Sequence, residues 1–69
     1  MMIDESTTPE EAIRIAIQQE KAAHEFYSKA AQIAKYPGTR QMFQSLAEEE
    51  LRHRRMLEEE LNKGYFKEM

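Results

Sequence analysis

Four residues govern the backbone of this 69-residue chain: Pro9, Pro37, Gly38 and Gly64 are its only prolines and glycines. Neither type interrupts the stretch from Glu10 to Tyr36 or the stretch from Thr39 to Lys63. Both stretches are rich in Ala, Glu, Gln, Lys, Arg and Leu, which form helices readily. The first has a start signal. Thr8 can cap it, Pro9 suits the first helical position, and Glu11 completes a Thr-x-x-Glu capping box. At its end, Tyr36 precedes a proline, which disfavours helical backbone there, and Gly38 can take a left-handed turn. Thr39 then reads as the cap of a second helix that stops at Gly64. The prediction is a helix over about 9–35, a helix over about 40–63, and less ordered ends at 1–7 and 65–69. Tyr65 and Phe66 could fold back onto the helices.

So short a connection makes the helices antiparallel neighbours, and the expected fold class is an all-α hairpin forming one domain over 1–69. Each helix has roughly 24–27 residues and a length of about 36–40 Å. A chain this short needs disulfides, a metal or a partner chain for stability. With no Cys in the sequence, disulfides, Cys-type zinc sites and thiol chemistry are excluded. The apolar pattern points to a partner. Ile13, Ile17, Tyr27, Ala31 and Ala34 make one stripe, and Phe43, Leu46, Leu57 and Leu61 make its counterpart, flanked by Met42 and Met56. Two helices cannot cover both stripes, so a homodimer closing a four-helix bundle is the minimum expectation. Ile15, Phe26 and Ile33 lie on another side, which either widens the core face or serves a higher, ring-like oligomer.

The net charge of −3 argues against nucleic acid as a partner. Arg52, Arg54 and Arg55 read as a solvated, ion-paired face, through the i, i+4 pairs Glu48 with Arg52, Glu50 with Arg54, Arg54 with Glu58 and Arg55 with Glu59. No apolar run approaches the roughly 20 residues of a membrane span, and the N-terminus lacks a basic-then-apolar signal pattern. A cytoplasmic protein with no membrane partner is expected.

Polar residues interrupt both stripes. At about 100° per residue, Glu20 points within about 20° of the Ile13–Ala31 stripe, with His24 one turn on along the same side. Glu50 falls near the middle of the second stripe and His53 toward its edge. An unpaired ionised carboxylate costs several kcal/mol to bury, so such groups persist when paired, protonated or bound to metal. The levels match too. Glu20 lies 17 residues before Pro37, and Glu50 and His53 lie 13 and 16 after it. At about 1.5 Å per residue the three share one layer within about a helical turn. A two-fold axis doubles them to four carboxylates and two imidazoles. That is the set of di-iron carboxylate bundles, a Glu from each of two helices and a Glu-x-x-His from each of the other two. Mixed oxygen and imidazole donors suit iron or manganese and accept zinc. His24 has two open readings, a hydrogen-bonded or partly exposed imidazole or a group supporting the ligands. Tyr27 reads as core, with a hydrogen bond toward the site as the alternative.

The segments "EKAAHEFYSKAA" and "MFQSLAEEELRHRRMLEEEL" resemble the two helices of a rubrerythrin-type ferritin-like domain over roughly residues 10–62. The most specific elements are Glu20, the Phe26-Tyr27 pair and "LAEEELRH". At half the usual four helices, the chain is similar to the encapsulated ferritins, two-helix proteins that dimerise around a di-iron ferroxidase site and assemble into rings. The resemblance implies Glu20, Glu50 and His53 as iron ligands, oxidation of Fe(II) to Fe(III), and an encapsulating shell protein as partner, which would place the chain inside a nanocompartment. It does not extend to the shell-targeting tail or to the Cys-rich rubredoxin module, so peroxidase activity with a built-in electron donor is not expected.

Two functions follow. One is a di-iron-binding protein with ferroxidase-type activity, oxidising Fe(II) with O₂ or peroxide at a dimer interface. The other is a metal-free, self-associating bundle serving as a structural or adaptor module, with Glu50 and His53 as a hydrogen-bonded pair.

Overall fold

The structure, a computed structural model, describes residues 3–64; among them it has two α-helices and no strand. Helix α1 spans Pro9–Ile33 and helix α2 spans Pro37–Asn62. They pack against each other as the expected all-α hairpin.

The start of α1 follows its local chemistry. The Thr8 hydroxyl accepts the Glu11 N–H at 3.1 Å, and the Glu11 carboxylate accepts the Thr8 N–H at 2.9 Å, so two helix-end donors are satisfied reciprocally. Residues 3–7, expected to be less ordered, lead into this cap through a turn. There Asp4 Oδ1 accepts hydrogen bonds from the Ser6 N–H at 2.8 Å and the Ser6 hydroxyl at 2.7 Å.

The corner differs from the expectation. Helix α1 ends at Ile33, and Ala34 is already extended with ψ 129°. Tyr36, restricted by the proline after it, is extended with φ −99° and ψ 132°. The connection is therefore residues 34–36. Three extended residues cover about 10 Å, close to the spacing of packed helix axes. Pro37 then opens α2, its fixed φ suiting the first helical position. The Tyr36 carbonyl accepts the Arg40 N–H at 3.0 Å. Tyr36 is thus the N-cap, and Thr39 stands inside the helix and caps nothing. Gly38 is helical and takes no positive φ. The left-handed glycine is Gly64, φ 72°, which ends α2 as expected. Arg40 Nη2 also reaches back to the Ala34 carbonyl at 3.0 Å and ties the corner down. The fold-back of Tyr65 and Phe66 lies outside the described residues.

A single layer results, 50 Å long and 12 Å thick. The buried apolar residues are Ile17, Ala31 and Ala47. Tyr27 stacks on Phe43 across the helices at 6.3 Å between ring centroids and meets Phe26 edge-on at 5.5 Å, so Tyr27 is a packing residue of the hairpin. By contrast Phe26 is 65% exposed, Met56 66% and Ile33 80%, with Met42 and Tyr36 also open. The apolar side beyond the main stripe is left uncovered by the hairpin's own packing. Among the described residues no helix is long and apolar enough to cross a membrane.

Candidate metal centre

The antiparallel packing of α1 and α2 places α1 position 20 opposite α2 positions 50 and 53, and their side chains converge. His53 Nδ1 lies 3.5 Å from Glu20 Oε2 across the helix pair and 3.9 Å from Glu50 Oε2 along α2. One donor atom from each of the three residues falls within 4.8 Å of the others. Donors that share one ion at about 2.1 Å stand roughly 3–4 Å apart, so small side-chain rotations suffice to converge them.

The burial of the three is uneven. Glu20 and Glu50 are half-buried, and the His53 side chain is 53% exposed. One hairpin therefore leaves the cluster at an open face, where the stripe pattern had aimed it into a core. Glu20 Oε2 itself is enclosed and accepts no hydrogen bond. A buried carboxylate oxygen without a donor is costly, and a bound cation is one way to offset that cost. The residues present thus fit a metal: two carboxylates and an imidazole suit a hard or borderline divalent ion.

His24 and Tyr27, for which support of the ligands is one of two readings, are not among the three donors: His24 is half-buried on α1, and Tyr27 stacks on Phe43. Among the described residues no further His, Asp or Glu joins the three. The surrounding arginines are partly as expected. Arg54 Nε meets Glu58 at 3.4 Å, whereas Arg52 meets Glu49 at 3.8 Å, an i, i+3 pair in place of the predicted one with Glu48. The Arg40 clamp on the corner carried no signal in the residue pattern, because its acceptor is a backbone carbonyl.

The family model Rubrerythrin matches residues 4–68. The chain belongs to the rubrerythrin family. The match spans nearly all of the sequence, and the cluster on this rubrerythrin hairpin is a group that could hold a metal. No similar curated protein and no similar solved structure is found for this rubrerythrin-family chain.

Proposed function

We propose that the chain is a di-iron-binding protein with ferroxidase-type activity, working as a homodimer whose two hairpins each supply Glu20, Glu50 and His53. The observation that carries this reading is the enclosed, unpartnered Glu20 Oε2 facing His53 at the edge of an open three-donor cluster. Family membership supports iron as the metal, and the uncovered Met42 and Met56, which flank the stripe carrying Glu50 and His53, support a second copy over the open face.

Iron is here the substrate. Four carboxylates from two chains offset the charge of two Fe(II) ions. Hard anionic oxygens favour Fe(III) over Fe(II), which draws the oxidation forward. The two Fe(II) ions together give up two electrons, which with two protons from water reduce O₂ to hydrogen peroxide, or hydrogen peroxide to two waters. In these roles Glu20 and Glu50 bind and stabilise the product charge, while His53 completes the donor set and orients the ion. Manganese or zinc would occupy the same donors without that oxidation.

The test is Fe(II) added in air, with Fe(III) formation followed in the unaltered protein and in Glu50→Ala and His53→Ala. Loss of the rate in both variants supports the reading, and equal rates in all three overturn it. Purified protein that carries no stoichiometric metal and loses no stability with chelator would instead identify a metal-free helical module.

A further inference from the structure

Glu50 has two basic residues one turn ahead of it on α2: His53 at i+3 and Arg54 at i+4. Both spacings bring side chains into reach on a helix. Arg54 in turn stands midway between two carboxylates, Glu50 four residues before it and Glu58 four residues after. The structure selects one arrangement. Glu50 Oε2 faces His53 at 3.9 Å, and Arg54 Nε is on Glu58 Oε2 at 3.4 Å in a partly buried setting.

We propose that Arg54 is a positioning residue that governs cation affinity at the Glu20–Glu50–His53 cluster by choosing between Glu50 and Glu58. This rests on the reading of Glu50 as a metal ligand. Held by Glu58, Arg54 leaves both Glu50 oxygens to the cluster. Released from Glu58, it pairs with Glu50 and competes with the incoming cation for the same carboxylate. It also sets a fixed positive charge beside the site. The guanidinium stays charged at any physiological pH, so the choice is decided by partners and not by protonation. Glu58 touches none of the three cluster residues in the described contacts, and on this account it acts on the metal solely through Arg54.

The sign of each change follows. Glu58→Gln frees Arg54 for Glu50 and weakens metal binding. Arg54→Gln removes the competitor and its charge and tightens binding, while Arg54→Lys keeps a competing cation and stays near the unaltered value. An i, i+4 ion pair changes an equilibrium by about twofold, so a centre drawing on two chains shifts by about fourfold. The decisive measurement is the double variant Arg54→Gln/Glu58→Gln, because coupling through Arg54 makes the Glu58 effect vanish once Arg54 is gone.

Zn(II), which undergoes no oxidation in air, is titrated calorimetrically into the metal-free full chain and the four variants at low ionic strength. Circular dichroism of each confirms that it folds. The expected order is Arg54→Gln and the double variant tightest and equal, then the unaltered protein and Arg54→Lys, with Glu58→Gln weakest. If Glu58→Gln weakens binding equally with and without Arg54, Glu58 acts by its own charge and the proposal is overturned. Unchanged affinity in Arg54→Gln overturns it as well. Failure of the unaltered protein to bind Zn(II) overturns both this proposal and the metal reading beneath it, whereas tight binding with an additive cycle overturns the Arg54 proposal alone.

Discussion

His53 Nδ1 on α2 lies 3.5 Å from Glu20 Oε2 on α1, joining two helices through polar groups, whereas the residues buried between them are the apolar Ile17, Ala31 and Ala47. By itself this contact is a compromise. The imidazole is largely open to water, and the carboxylate oxygen facing it is enclosed with no hydrogen bond.

Replacing that carboxylate should therefore separate stability from binding. Glu20→Leu is expected to leave the metal-free protein as stable as before or more stable by about 1 kcal/mol, since an unsatisfied buried acceptor is removed. The same change should weaken Zn(II) or Mn(II) binding at least tenfold, the scale seen when even outer partners of a metal site are lost. Thermal melts of metal-free protein and calorimetric titrations check the two halves separately.

Metal should raise stability by mass action. With free Zn(II) at 100 times its dissociation constant the expected gain is about 2.7 kcal/mol. In a domain this small, that corresponds to a Tm increase of about 10 °C or more. Chelator should reverse it. A melting temperature unmoved by metal would rule out the cluster as a folded-state site.

Dimerisation is tested at the uncovered apolar residues. Met42 and Met56 are exposed on the single hairpin, so Met42→Glu and Met56→Glu should alter monomer stability by no more than about 0.5 kcal/mol. If these residues face a second copy, each buried charge should raise the dimer dissociation constant at least tenfold, read by sedimentation equilibrium. Metal affinity should fall with it, because each half of the centre then lacks its partner.

The two threonines offer a contrast. Thr8→Ala should destabilise by about 1 kcal/mol through loss of the reciprocal cap, while Thr39→Ala, inside α2 and capping nothing, should stay within about 0.5 kcal/mol.

The same cap predicts a pH dependence. The Thr8 backbone N–H, followed by its hydroxyl, holds the Glu11 carboxyl below its usual 4.5. The folded pKa is the lower one, so this contribution is present above about pH 4.5 and is lost as pH falls through the depressed folded value. Helicity followed by circular dichroism from pH 6 to pH 2 should fall less steeply in Glu11→Gln.

How far the chain could be read without coordinates varies from element to element. Thr8, Pro9 and Glu11 specify the start of α1 because a capping box is local chemistry between residues three apart. Gly64 specifies the end of α2 for the same kind of reason, as a left-handed φ favours glycine. The corner was less legible. Pro37 and Gly38 can make either a turn or a first helical turn, and the requirement that α2 return alongside α1 decided for the helix, moving the cap from Thr39 to Tyr36. The stripe phase singled out Glu20, Glu50 and His53, because a 3.6-residue period fixes which side chains share a face. Periodicity could not show that His53 stays half in water, that Glu20 keeps an oxygen with no donor, or that Arg54 turns to Glu58 and away from Glu50. Those outcomes depend on distances between helices and on competition among partners at equal sequence spacing, and only the tertiary packing settles either.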